Sequence, residues 1–488
     1  MTHGSSARPH PGARLVWAAL IALALPAAGR AAAPDTGPLP WRVPGRVGFT
    51  VDAAAFPDTA DMMLDVYVRI SPSTLLALAR DAGGQGRLRL TTRLRGAYGG
   101  RGEEQAQEFA IAPDDSSGGL GKVMAVRFPV KPGKHRLFVR VADVLSRKHG
   151  LIYVNVNESG QVEGQVVVPA PEGGRELSDI EFVWSSHHGG PATLFERGGR
   201  TLLPDPERLY GLYASTVHAA FSARGAEAKP WHWKARVLDA AGQAVAGQES
   251  TAAAGTWLHG EIAADMTTDP AGGYRLVLQV WQEGDAAPLE RTSPFSIAWQ
   301  VDSWLRNPSD IQDDVHFLLS ADEEDDFALL SPGEQEHYLD EFWRERDPSP
   351  GTGVNEARVA FMQRVAYANQ HWTRAALGKG MFSDMGRVYI RYGEPSEIQK
   401  QVIPTGDEGL DAVVQEILLN EDRSALNVPA PGPWADMRPF ELWKYDGPIP
   451  RPPDADPRAA GHPRQKHLIF LFVDEHGTGD YRLRYSTE

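Results

Sequence analysis

Apolar and polar positions alternate with period two through much of the first 300 or so residues. In Leu64–Ile70, the apolar residues Leu64, Val66, Val68 and Ile70 are separated by Asp65, Tyr67 and Arg69. Leu88, Leu90 and Leu94 alternate with Arg87, Arg89, Arg93 and Arg95, and Leu137, Val139 and Val141 with Phe138 and Arg140. Ile152, Val154 and Val156 alternate with Tyr153 and Asn155. Period two with one wet face predicts antiparallel strands, and short strands at turn-like spacing predict a sandwich. Residues 41–168 are assigned to it.

Residues 175–302 repeat the plan. Pro132-Gly133-Lys134-His135-Arg136-Leu137 aligns with Ala271-Gly272-Gly273-Tyr274-Arg275-Leu276, each a glycine turn feeding a strand, with a further strand beyond (Leu151–Val156; Phe295–Val301). The expected fold is mainly β: two tandem immunoglobulin-like sandwiches joined by Pro169–Gly174.

The pattern changes near residue 305. Ile311, Val315, Leu318 and Leu319 have helical spacing. Ser331-Pro332-Gly333-Glu334 is a capping box with proline at the first helical position, opening a helix whose apolar stripe is Tyr338, Phe342 and Trp343. A second helix spans Val354–Trp372, with Val359, Met362, Val365 and Ala366 inward. Strands follow at Arg387–Tyr392, Phe440–Tyr445, His467–Val473 and Tyr481–Tyr485. Leu468–Val473 is apolar on both faces and should be central. The segment 399–438, with one helix at Gly409–Asn420, reads as an insertion. Residues 305–488 thus form an α+β module, a helical segment followed by a mixed or antiparallel sheet.

Residues 1–33 differ from all of this. Arg8 and Arg14 precede an apolar run from Leu15 to Ala28, followed by the small residues of Ala27–Ala33. This is the layout of a cleavable signal peptide, with cleavage after Ala31 or Ala33. Pro26 ends the run short of the ~20 apolar residues a membrane anchor needs. A periplasmic or secreted location is expected. The chain has no cysteine, which excludes disulfides, a lipid-modified cysteine and thiolate chemistry. Formal net charge is −15, and loss of Arg8, Arg14 and Arg30 with the leader makes the remainder more acidic. Such a chain is a poor nucleic-acid binder. No integral membrane segment is expected in the mature chain.

Several segments of the third part resemble the GWxTD-domain family. Glu341–Thr352, containing Phe342, Trp343, Asp347 and Pro348, is similar to its FW-x-x-R-DP-x-PGT segment. Arg364–Asn369 resembles the next helix, Gly386–Pro395 (with Gly393 and Pro395) the stretch after the name-giving motif, and Gly477–Tyr481 (with Gly479, Asp480 and Tyr481) the closing GxGDY. The name-giving motif reads Gly380-Met381-Phe382-Ser383-Asp384, with Met381 for Trp and Ser383 for Thr. The resemblance covers roughly residues 305–488. It implies an exported bacterial protein with sandwich domains before the module, and implies architecture more than activity.

The candidate chemistry is sparse. As a strand, Arg387–Tyr392 would place Arg387, Tyr389 and Arg391 on one face, and Glu441, Trp443 and Tyr445 would share a face of another. If those faces meet, they form a pocket for an anionic or sugar-like ligand or a peptide terminus. The candidate binding residues are therefore Asp384, Arg387, Tyr389, Arg391, Trp443 and Tyr445, with Arg391→Ala expected to weaken binding. The plainer reading is an exposed face of paired charges, with Ser383 and Asp384 fixing a turn through local backbone N–H groups. His187-His188-Gly189-Gly190 lacks the context of a metal helix or a nucleophile elbow and reads as a loop. Asp322–Asp326 lacks a calcium-loop pattern and reads as a solvated face.

No catalytic residue, metal or cofactor is assigned. The preferred reading is a binding or scaffold protein of the cell envelope, contacting an envelope protein or a small ligand. One alternative is a hydrolase of envelope polymers using Asp384, Asp474 or Asp480. Another is carbohydrate binding by the tryptophan-rich second sandwich (Trp184, Trp231, Trp233, Trp257, Trp281 and Trp299), in which Trp231, Trp233 and Trp299 fall on core faces and Trp281 is the one expected to be exposed.

Overall fold

The computed structural model describes residues 37–488 apart from 60, 82–85, 97–101, 112–120, 147, 151–152, 157, 189–195, 306–307, 352–353, 375–377, 403–408, 421–437 and 448–466. The signal-peptide expectation (1–33), Gly189, Gly190, Thr352 and most of the 399–438 insertion lie outside the described residues. The chain is mainly β, with an α+β C-terminal part.

The first unit contains β1 (Trp41–Val43), β2 (Phe49–Pro57), β3 (Met62–Ile70), β4 (Arg87–Gly96), β5 (Glu103–Ala110), β6 (Lys122–Val130), β7 (Gly133–Asp143), β8 (Lys148–Gly150), β9 (Tyr153–Val156) and β10 (Ser159–Val168). Sheets ordered β1-β2-β3-β6 and β10-β7-β4-β5 face each other. Val51, Val66, Val68 and Phe128 from one meet Leu88, Leu90, Val139 and Val141 from the other in a single core. The alternation of the arginine-rich strand β4 is realised, its leucines buried and Arg87 and Arg89 in solvent. Two local expectations change. The strand expected at Leu151–Val156 is represented by β9, which pairs with β8, while β10 pairs along β7. A helix, α1 (Pro72–Asp81), also buries Leu75 and Leu78 in this core. Its first turn is closed by Ser71, whose Oγ accepts from Thr74 N–H at 3.3 Å.

The second unit contains β11 (Glu176–Leu177), β12 (Glu181–His188), β13 (Glu196–Arg197), β14 (Arg200–Pro204), β15 (Leu209–Gly211), β16 (Thr216–Leu238), β17 (Ala244–Asp265), β18 (Gly272–Gln282) and β19 (Leu289–Ala298). Strands β16 and β17 form a long ribbon whose register shifts between Arg224 and Trp231. Before that break β16 pairs with β12, and after it with β18. One continuous ribbon therefore serves both layers of the sandwich. Its two halves bury Val217, Ala219 and Phe221, then Trp231, Trp233, Ala235 and Val237, in the same core.

The two units meet through charge. Strands β2 and β3 bury their outer polar face as well as their core face, including Asp52, Asp65 and Arg69. Arg208 donates to Asp52 through Nε and Nη2 at 2.8 and 2.6 Å. Arg127 holds Asp65 in the same bidentate way, at 2.6 and 2.8 Å, and Arg197 reaches Asp65 from the second unit. Arg69 pairs with Glu207, and the Tyr67 hydroxyl donates to Glu181.

The C-terminal part begins with helices α2 (Val301–Leu305), α3 (Pro308–Val315), α4 (Ala321–Leu329), α5 (Pro332–Glu345) and α6 (Glu356–Trp372). The capping box of α5 forms as the sequence predicts: Ser331 Oγ accepts from Glu334 N–H, and the Glu334 carboxylate from Ser331 N–H. On α6 the inward residues are Phe361, Val365 and Ala368, whereas Val359, Met362 and Ala366 are exposed. The acid run 322–326 lies on α4, mostly exposed.

Then come α7 (Asp384–Tyr392), β20 (Glu397–Gln401), α8 (Leu410–Asn420), β21 (Phe440–Tyr445), β22 (Leu468–Asp474) and β23 (Tyr481–Ser486). The sheet is antiparallel, ordered β20-β21-β22-β23. The doubly apolar β22 is central and fully buried, as predicted. Helix α8 covers one face through Leu410, Val413 and Ile417, and α7 the other through Met385, Val388 and Tyr392. Among the described residues, no helix is long and apolar enough to cross a membrane.

Candidate functional site

The stretch 387–392, expected as a strand, is the helix α7. Its six residues fit alternation, but Met385, Val388 and Tyr392 also have helical spacing, and the ends decide. Ser383 Oγ accepts from Gly386 N–H at 3.0 Å as the N-cap. Gly393 closes the other end with φ +80°, a conformation that disfavours a side chain. Ser383→Ala is expected to cost about 1 kcal/mol, read as a shift of the urea midpoint, with Ser383→Thr restoring it.

The helix redistributes the candidate residues. Arg387 is exposed. Arg391 turns outward, its Nε 3.1 Å from Glu488 Oε1. Asp384 Oδ2 accepts from Leu483 N–H at 2.9 Å and ties α7 to β23. Trp443 is buried beneath the helix, its indole N–H donating to Glu441 at 3.0 Å. The expected pocket between two strand faces is thus a helix–sheet core. Tyr389 and Tyr445 remain together, at a cleft beside that core.

The cleft encloses about 460 Å³. Its walls are Arg364 and Tyr367 from α6, Tyr389 and Tyr392 from α7, Glu394 after the helix, and Tyr445 from β21. The Tyr367 and Tyr389 rings stack at 4.4 Å, 17° from parallel, and His371 stacks on the far side of Tyr367 at 3.8 Å. The Tyr445 hydroxyl donates to the Gly393 carbonyl at 2.9 Å. Burial lifts its pKa far above the ordinary phenol value, and lifts that of Tyr392 to about 12. The cleft is therefore lined by neutral phenols.

Arg364 is the cation of the cleft. Its Nη1 donates to the carbonyls of Ile390 at 3.1 Å and Arg391 at 3.5 Å, at the negative end of α7. A β-carbon at position 393 would come within 3.0 Å of Arg364 Nη2, a second reason for glycine there. Burial lowers the Arg364 pKa, partly offset by Tyr389 and Tyr445. Among the described residues, no carboxylate pairs with it. Arg364 lies in a segment that carries the family resemblance, but periodicity gave no sign that it reaches the end of a helix 26 residues further along the chain; its partners Ile390 and Arg391 belong to a different element.

The name-giving motif is structural. Gly380 sits where a β-carbon would lie 2.1 Å from the Ala368 carbonyl, so α6 and the turn at Gly380–Phe382 touch backbone to backbone. Met381 is buried with Phe361, Val365, Ala368 and Ile390, and its N–H donates to Asn369 Oδ1 at 3.0 Å. Phe342 and Trp343 fill the same core. Asp347 accepts from Ser349 N–H at 2.8 Å after α5, and Pro395 is buried after Gly393. Asp474 accepts from the N–H groups of His476, Thr478 and Gly479, holding the turn before β23. Asp480 pairs with Arg482 at 2.8 Å, and Tyr481 packs against the core under α7. Asp384 and Asp474 thus accept from backbone N–H groups and Asp480 from a neighbouring arginine.

Elsewhere, Trp184, Trp231 and Trp233 are buried. Trp299 is half-buried, its indole N–H donating to the Asp269 carbonyl. Trp281, expected exposed, is half-buried and stacks on His232 at 5.6 Å, and Trp257 stacks on His259 at 5.9 Å. The six tryptophans thus serve the core or pack on neighbours. His187 and His188 end strand β12 rather than lying in a loop. Among the described residues no group of three or more His, Asp or Glu could hold a metal ion.

Residues 302–403, in the C-terminal part of the chain, match the family model of the GWxTD domain. No curated protein matches the chain. Among solved structures, a red sea bream transglutaminase aligns at 7% identity and TM-score 0.15, over 51% of this chain and 31% of its own. A DUF3823 family protein from Bacteroides ovatus aligns at 10% identity and TM-score 0.18, over 43% of this chain and 88% of its own. This chain thus spans about a third of the transglutaminase.

Proposed function

We propose that the protein is an exported binding protein of the bacterial cell envelope, whose sandwiches carry a GWxTD domain with an anion-accepting cleft. The observation that carries the reading is Arg364. It is half-buried beside a cavity of about 460 Å³, its carbonyl bonds use Nη1, and no described carboxylate neutralises it. A partly desolvated guanidinium beside a cavity favours a carboxylate or phosphate. The leader sequence supports export.

The test is calorimetric titration with acetate, inorganic phosphate and N-acetylated amino acids. At least one should bind. Arg364→Gln should weaken that binding by about ten- to a hundredfold, the worth of a hydrogen bond to a charged group. Arg364 also caps α7, so circular dichroism must show Arg364→Gln folded. Arg364→Lys, which keeps charge without the planar fork, should retain part of the affinity. Binding unchanged in a folded Arg364→Gln variant would sink the proposal. For export, sequencing the mature N-terminus from native cells should find cleavage after Ala31 or Ala33.

A further inference from the structure

The cleft holds a second charged group that the anion reading does not use. Glu394 stands immediately after Gly393 at the C-terminal end of α7, exposed, and lines the same cavity as Arg364. Neither forms an ion pair with the other or with any other described residue, although the other acid of the cleft, Asp446, is occupied by His467. Tyr389 lies within electrostatic reach of both. Burial raises its pKa, Tyr367 and Glu394 push it further up, and Arg364 pulls it down. One aromatic wall is thus flanked by an unpaired cation and an unpaired anion.

Two opposite charges that line one cavity without pairing are complementary to a ligand that also carries both. A ligand with only an anion satisfies Arg364 but meets repulsion from Glu394, and a ligand with only a cation has the reverse problem. The walls add a further requirement. Tyr367 is covered on one face by Tyr389 and on the other by His371, so the stack presents ring edges, which favour an apolar or aromatic group. We infer that the cleft binds a zwitterionic amino-acid head group, its carboxylate on Arg364, its ammonium toward Glu394 and its side chain against the tyrosine wall. This rests on the anion-accepting reading of the cleft and narrows it.

The experiment uses the mature chain and three probes: phenylalanine, phenylalaninamide (no carboxylate) and N-acetylphenylalanine (no ammonium). Calorimetry or ligand-observed NMR should show phenylalanine binding at least tenfold more tightly than either blocked form. Glu394→Gln, an exposed and nearly isosteric change, should weaken phenylalanine binding and strengthen that of N-acetylphenylalanine, from which it removes a repulsion, so that the preference between the two is lost. If N-acetylphenylalanine or phosphate binds as well as phenylalanine, and Glu394→Gln changes nothing, the zwitterion is overturned and anion binding stands. If phenylalanine and the simple anions all fail to bind, both readings fall. If phenylalaninamide binds best, the site prefers cations, which overturns both.

Discussion

Arg208→Ala should lower the unfolding free energy of the N-terminal half by about 3–5 kcal/mol, the typical cost of removing one partner of a buried ion pair. Arg208 and Asp52 are each more than nine-tenths buried, and their two hydrogen bonds cross from the second unit to the first. Truncating the arginine leaves the buried Asp52 carboxylate without its bidentate partner; among the described residues only the Ala53 N–H, at 2.8 Å, still donates to it. The same guanidinium lies over the Phe182 ring, so apolar contact is lost as well. A second variant separates the pair from a general packing defect. Asp52→Ala combined with Arg208→Ala should cost less than the sum of the single changes, because no unbalanced charge remains. Urea denaturation followed by intrinsic fluorescence reads both. Additive losses, or an unchanged midpoint for Arg208→Ala, would show that the pair does not hold the two units together. Limited proteolysis should also cut the 169–174 linker faster in the single variant.

That interface shows where reading the sequence stops. Asp65 and Arg69 appear in their strand as the polar half of an alternation, and alternation assigns them to solvent; Asp52 gave no signal of its own. The structure buries them because the second unit covers that face, and their partners in that unit lie more than a hundred residues away along the chain. Local periodicity carries no information about such pairs. Where burial is decided within one element, the pattern was enough: the leucines of β4, the two-sided β22, and Trp231 with Trp233 in the core. Helix α7 is an intermediate case. Alternation over six residues pointed to a strand, while the deciding cues, a serine cap and a glycine stop, were present but are weak against Val, Ile and two tyrosines with high β propensity. That error moved Arg387 and Arg391 into the candidate pocket and left Arg364 out of it. An arginine whose partners are the carbonyls of another helix gives no spacing signal of its own.

The same interface should make stability fall as pH rises. Asp52, Asp65, Asp179, Glu181, Asp205 and Glu207 cluster there with Arg42, Arg69, Arg127, Arg197, Arg208 and Arg291. Glu181 is buried by this contact, and desolvation lifts its pKa to about 7 against 4.5 for the free side chain. Tyr67, Asp52 and Arg127 face it from the first unit, and Arg197 lies 3.7 Å away on β13. Below the unfolded value both states hold the proton and the contact carries no penalty. As pH climbs, the unfolded chain ionises first while folded Glu181 stays protonated, so stability drops until folded Glu181 ionises near 7. At about 1.4 kcal/mol for each pH unit between the two values, the loss is about 3 kcal/mol. Asp205, raised to about 8 by burial and then by Glu207, extends the decline in the same direction. Glu181→Gln should flatten the slope between pH 4.5 and 7 without affecting the part that Asp205 contributes above it. Denaturation midpoints measured across that range, in wild type and Glu181→Gln, are the check. A stability that rises with pH through the window, or a slope identical in the two proteins, would mean that Glu181 is charged in the folded chain and that the arginines around it are sufficient to keep it so.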